Sequence, residues 1–243
     1  MKGTTFQNGV EYKVTIDGEA WSQGESISGK IETKPGSIAQ VFLADGLDRK
    51  VKVKAADAVV VLNEQAPQTS PFQWRFDLPL SARVSDKAGS LYLLYGSGDH
   101  LEKYGHLRLN VIPHQLLRDF SDLLTAEFRF ALPVFSFGKS KTTELKLDPP
   151  AVKEWTMLDQ LVVQLTLHSE TLDLKFIFHR KEIDPTRGGL CTILVKREIN
   201  RKWNLKEVVH DFNQRLNKDA TAALMEVVIK DYRDAGWLST SAI

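Results

Sequence analysis

Gln23-Gly24-Glu25-Ser26-Ile27-Ser28-Gly29-Lys30-Ile31 is the stretch from which the fold can be read. Ile27, Gly29 and Ile31 alternate with Ser26, Ser28 and Lys30, the period of a strand with one face buried and one face in water. The same period recurs on both sides of it. Tyr12, Val14 and Ile16 come before. After it come Val41 and Leu43, then Val51, Val53 and Ala55, then Val59 and Val61. Phe72, Trp74, Phe76 and Leu78, then Leu91, Leu93 and Tyr95, and finally Leu107, Leu109 and Val111 complete the set. Turn formers such as Asp17-Gly18, Pro35-Gly36, Asp45-Gly46 and Gly96-Ser97-Gly98-Asp99 separate the runs. No helix-period segment is available there for a parallel crossover, so residues 1–112 are predicted to form an antiparallel, two-layered sandwich.

The pattern changes at Pro113. Leu116, Leu117, Phe120, Leu123 and Leu124 fall at helical spacing and predict a short amphipathic helix. Alternation resumes at Phe128, Phe130 and Leu132, at Leu145 and Leu147, at Val163, Leu165 and Leu167, and along Leu172, Leu174, Phe176 and Phe178. Residues 113–200 therefore read as a second, smaller sandwich opened by a helix. Pro133 and Pro149-Pro150 belong on an edge or in loops, because proline cannot donate to a ladder. In residues 201–243 the pattern turns helical. Asn204 can cap a helix carrying Leu205, Val208, Val209, Phe212 and Leu216, and Asp219 can start another carrying Leu224, Val228 and Tyr232 that ends at Ala235-Gly236. The predicted class is mainly β: two consecutive antiparallel β-sandwiches, a short linking helix and a helical C-terminal tail.

Composition bounds the function. The 243 residues carry 32 Lys and Arg against 31 Asp and Glu, a net charge of +1, so the overall balance does not call for nucleic acid. No uncharged apolar run approaches the roughly 20 residues of a membrane span, and Met1-Lys2-Gly3-Thr4-Thr5 is not the opening of a secretion signal. The single cysteine, Cys191, lies in an apolar run as a small buried hydrophobe rather than a catalytic thiol. These features place the chain in the cytoplasm.

Catalytic and metal-binding patterns do not emerge. The six histidines form no paired helical motif; His100 and His106, with Asp99 and Glu102 beside them, read as solvated loop residues rather than metal ligands. Gly96-Ser97-Gly98-Asp99 lacks the Lys-Ser/Thr ending and the following helix of a phosphate loop, which leaves a hairpin turn. Trp74 belongs to the core by its alternation, whereas Trp21, Trp203 and Trp237 flank turns or helices and read as more open. Lys50, Lys52 and Lys54 read as the solvated face of a strand. No catalytic residue, cofactor site or metal site is assigned.

Several of these segments together resemble the arrestin-like superfamily. Gln23 to Ile31 resembles the Gly-Glu-x-Val-x-Gly-x-Val turn and strand that opens its sandwiches, and Phe76-Asp77-Leu78-Pro79-Leu80 its Phe-x-Leu-Pro-Leu segment. The branch resembled is the bacterial sporulation-control family, that of stage zero sporulation protein M, which joins two such sandwiches and follows the exit strand with an amphipathic helix. Met157-Leu158-Asp159-Gln160-Leu161 and Glu182-Ile183-Asp184-Pro185-Thr186-Arg187-Gly188-Gly189 are similar to its Leu-Asp-Glu-Leu turn and its Glu-Val-Asp-Arg-Arg-x-Arg-Gly end. The resemblance covers about residues 10 to 190. Pro185 stands where the family has a basic residue, the loop between Val61 and Phe72 is compact, and the tail from about Asn204 has no counterpart.

The resemblance implies a non-catalytic regulatory or scaffold protein, without a cofactor, that binds other proteins through sheet edges, loops or the tail. Phe212, Leu216, Leu224, Val228, Tyr232 and Trp237 are the candidate contact residues of that tail, for a partner or for a second copy of the chain. The alternative is an enzyme or a β-sandwich that binds a sugar or lipid in the groove between domains, suggested by the open-looking tryptophans.

Overall fold

The computed structural model describes residues 1–55, 57–183, 192–210 and 212–237, apart from the side chains of 154 and 235–237. Cys191, Pro185 and the Gly188-Gly189 pair lie outside these residues. The chain divides into two compact units, Met1–His114 and Gln115–Ile243.

In the first unit β1 (Lys2–Gln7), β2 (Val10–Ile16), β3 (Trp21–Ser22), β4 (Ser26–Glu32) and β5 (Ile38–Leu47) lead to a short helix α1 (Asp48–Lys52). Then come β6 (Val59–Thr69), β7 (Phe72–Asp77), β8 (Gly89–Gly96), β9 (Gly105–Arg108) and β10 (Val111–Ile112). Two four-stranded sheets result, in the orders β1-β2-β4-β7 and β6-β5-β8-β9, antiparallel throughout, with β3 and β10 as a short parallel pair beside them. The core between the sheets takes the inward residues of each: Ile27, Ile31 and Trp74 from one, Val41, Leu43 and Leu93 from the other. This is the sandwich that the alternation predicts.

Three local readings are corrected. Asp48 to Lys52 is helix, not strand; Ala55 N–H bonds to the carbonyl of Lys50 and Lys54 turns into the left-handed region at φ 51°, which closes the helix after Val51 is buried against β5 and β8. A strand needs a neighbour to take its ladder bonds, and β6 already occupies the free side of β5. Residues 62 to 69 are not a compact loop but the continuation of β6, with Pro67 tolerated because β6 is an edge strand. The hairpin β1–β2 adds a strand ahead of Tyr12, turning at Asn8-Gly9 with both residues at positive φ.

The second unit opens with α2 (Gln115–Ala126), where the amphipathic pattern places it. β11 (Ala131–Phe137), β12 (Thr143–Asp148), β13 (Leu158–Leu167), β14 (Thr171–Ile183) and β15 (Thr192–Asn204) then form one antiparallel meander in sequence order. Pro133 lies on the edge strand β11, and Pro149-Pro150 follow β12. Among the described residues the unit has this single sheet, and helices supply its second layer. Phe120 of α2 meets Phe176 and Trp203 edge-on, with ring centres 6.4 and 5.7 Å apart.

The tail also departs from the helical pattern. Asn204 caps as predicted, its Oδ1 accepting from Lys206 N–H, but the helix it starts, α3 (Leu205–Val208), is a single turn. Val209 leaves it extended and pairs with Leu216 across a loop. The second helix, α4 (Lys218–Trp237), starts near Asp219 as read and runs through Gly236 instead of ending there.

Candidate functional site

Three of the six tail residues are core. Tyr232 stacks on Phe178 of β14, 4.2 Å away and 17° from parallel, and on Trp155 at 5.7 Å and 11°. Trp155 in turn meets Phe130 edge-on, with the Arg233 guanidinium 5.6 Å from its ring centre. Val228 beside it is fully buried, and Arg201 of β15 makes an ion pair with Asp231, so α4 is fastened to its own sheet. Burial holds the Tyr232 phenol above its ordinary value, with Arg180 and Arg197 opposing.

Leu216, the third, is buried by a lock that the sequence does not reveal. Asp119 of α2, 5% exposed, accepts from Arg215 Nε at 2.7 Å and Nη2 at 2.6 Å, from Gln115 Nε2 at 2.7 Å and from Leu216 N–H at 3.2 Å. Burial alone raises a carboxyl pKa, but the fork of Arg215, the amide of Gln115 and the backbone N–H outweigh it, and Asp119 is held below the usual range. This lock ends the predicted first tail helix. A continuous helix would carry Arg215 and Leu216 away from Asp119, whose buried charge would then lack its partner.

Leu224 is partly exposed, the Trp237 side chain lies outside the description, and Phe212 is 84% exposed at the tip of the loop, its ring 5.3 Å from that of His210. The five whose side chains are described therefore do not make one surface. Apolar surface is left free elsewhere, along strand edges that sequence reasoning passed over. Val60, Val61 and Leu62 of β6 are 64, 38 and 48% exposed. Leu132 and Val134 of β11 are exposed as well, as are Ile183, Ile193 and Leu194 where β14 and β15 leave the sheet. The signal was present as the uncharged run Val59 to Asn63, but only the sheet order shows that it lies on an edge.

Trp21, Trp74, Trp155 and Trp203 are all buried, which corrects the open reading of Trp21 and Trp203. His100 pairs with Glu102 at 3.1 Å, while His106 sits edge-on to Tyr92. Among the described residues no group of three His, Cys, Asp or Glu side chains is placed to hold a metal ion. Two open depressions of about 430 and 520 Å³ lie on outer sheet faces, and much of the charge lining them is paired with neighbours: Lys175 with Glu198 at 2.7 Å, Asp17 with the Ser28 hydroxyl at 2.9 Å. No helix among the described residues is long and apolar enough to cross a membrane.

The architecture is mainly β and antiparallel, with a linking helix and a C-terminal helix. The solved structure of Spo0M, a sporulation control protein from Bacillus subtilis, is similar, with a TM-score of 0.58 at 14% identity over 93% of this chain and 98% of that one. A likeness at this identity establishes the fold. Covering 93% of the chain requires residues beyond Asn204, so part of the tail has a structural counterpart after all. No family model and no curated protein matches the chain.

Proposed function

We propose that the chain is a non-catalytic regulatory or scaffold protein of the bacterial cytoplasm, related in role to sporulation control proteins, which binds other proteins through strand edges and loops. The observation that carries this reading is the edge strand β6. Its eleven residues border the sheet, and Val60, Val61 and Leu62 are exposed. Such an edge offers unpaired N–H and C=O groups to an incoming strand, with apolar side chains to select it. Phe212 on the tail is a second contact point, and it is the tail candidate with the most exposed side chain among those described.

The test is cross-linking and affinity capture from source cytosol with the full chain, with Leu62→Lys and with Phe212→Ser. A discrete protein captured by the full chain and lost with either variant is the expected result. Capture that is unchanged by both substitutions removes these surfaces from the reading. A folded chain that captures nothing, but whose melting temperature rises with a glycan or lipid, overturns it.

A further inference from the structure

A second apolar cluster lies on the outer face of the sheet β6-β5-β8-β9, where a sandwich ordinarily meets water. Phe42, Ala44, Tyr92 and Leu94 point outward there and are buried. Two covers reach over them, α1 with the turn that follows it and the turn Leu101–Lys103. A cavity of about 60 Å³ remains, with buried Val51, Ala58, Leu94 and Tyr104 beneath and exposed Lys54, Glu102 and His106 at its mouth.

The charge around that mouth is unbalanced. Of the acids on and after α1, Asp48 is held by Tyr92 and Arg108, and Asp57 by Lys50. Glu102 lies 3.1 Å from His100, which offsets its charge only when the imidazole is protonated, and Asp99 acts on the Tyr104 phenol, so two carboxylates stand against three cations there. Arg49, Lys52 and Lys54 make no ion pair among the described residues, and the Lys54 charge is close enough to His106 to add to the burial that lowers the imidazole pKa. An apolar hole beside an unmatched cation fits an aliphatic group with a carboxylate next to it. An engineered apolar cavity of about 150 Å³ takes benzene, so this smaller one has room for one branched side chain rather than a ring or an acyl chain.

We propose that this cavity docks a partner protein's peptide segment in which a single aliphatic side chain is flanked by Asp or Glu. The proposal rests on the scaffold reading above and names the chemistry of one partner surface. The aliphatic side chain enters between the two covers, and the flanking carboxylate meets Lys54.

The probe is an acetylated, amidated Glu-Leu-Glu peptide titrated into the isotope-labelled full chain, with Lys-Leu-Lys as control. The acidic peptide is expected to shift the amides of Lys54, Leu101 and His106, and the basic one to shift nothing. Lys54→Glu, an exposed change whose fold is checked by the unshifted amides of β5 and β8, weakens binding about tenfold or more by placing like charges together. Ala58→Leu fills the cavity and abolishes it. No shift at several millimolar peptide, equal shifts from the basic peptide, or equal affinity for free 4-methylpentanoate overturns the proposal. A cytosolic partner that is captured equally by both variants also overturns it and leaves the scaffold reading standing, whereas loss of capture with Lys54→Glu supports both.

Discussion

A Cβ built on Gly29 would lie 2.1 Å from the backbone oxygen of Thr15 and 2.6 Å from Cζ2 of Trp74, closer than atoms approach without displacing each other. Gly29 is the second glycine of the stretch Gln23 to Ile31. Its φ is not in the left-handed region, so its role is to let the Trp74 ring lie against the backbone of β4 and β2. The strand and its inward face were legible from Ile27 and Ile31; the need for glycine was not, because its partner is 45 positions away. Gly29→Ala is expected to destabilise the first unit by about 3 kcal/mol, since a backbone oxygen cannot yield as a flexible side chain does. Urea unfolding monitored by tryptophan fluorescence checks this, and a loss below about 1 kcal/mol would show that the sheet relaxes. Asp119 and Arg215, 96 residues apart, were equally hidden from sequence. The depressed pKa of Asp119 means that its contribution is present above the unfolded carboxyl value of about 3.9 and is lost as pH falls through the folded one. Between pH 7 and 5 the wild-type melting temperature should hold steady on this account, and below about pH 4 it should fall more steeply than that of Asp119→Asn. Asp119→Ala should cost about 2 kcal/mol at neutral pH, less than a fully buried pair because Arg215 is half exposed.

Elements were legible where a single periodicity held for six residues or more and both neighbours agreed. β7, and β14 as far as Phe178, keep alternation, and α2 keeps its stripe, so each begins close to where the pattern puts it, although β14 runs on to Ile183. α1 was not legible, because a five-residue stretch with Val51 and Val53 satisfies strand alternation and leaves the choice to tertiary contacts. The tail failed for the opposite reason: its spacing suits a long helix, but the Asp119 lock and the Val209–Leu216 bridge take the residues that such a helix needs. α4 completes the layer over the sheet of the second unit, which is why its apolar stripe faces inward instead of awaiting a partner. Tyr232→Ala removes a ring stacked on two others and should cost about 3 to 4 kcal/mol. Near-ultraviolet circular dichroism and urea unfolding would register it. A loss under about 1 kcal/mol would mean that α4 is a loosely held arm, and would return Leu224, Val228 and Tyr232 to the list of partner contacts.

At the scale of the whole molecule, two properties act together: a net charge near zero and long strand edges that carry exposed apolar side chains. The isoelectric point of about 7.8 leaves little net repulsion between copies at mildly alkaline pH. Natural sheets ordinarily guard an edge with lysine, proline or a strong bulge. β6 has Pro67 and two register shifts against β5, but Val60, Val61 and Leu62 lie well before the proline and carry no charge among them. Self-association should therefore be greatest near pH 8 and fall on either side as net charge grows, and it should weaken when the edge is charged. Static light scattering of the full chain from pH 6 to 9.5, beside Leu62→Lys, separates the two causes. If Leu62→Lys only moves the maximum to higher pH, charge alone governs association and the edge is inert. If it lowers the maximum at every pH, the edge is the contact, which is what an exposed strand template predicts. The same substitution then becomes the natural control for partner capture, because a protein that joins β6 by strand addition has to compete with a second copy for the same N–H and C=O groups.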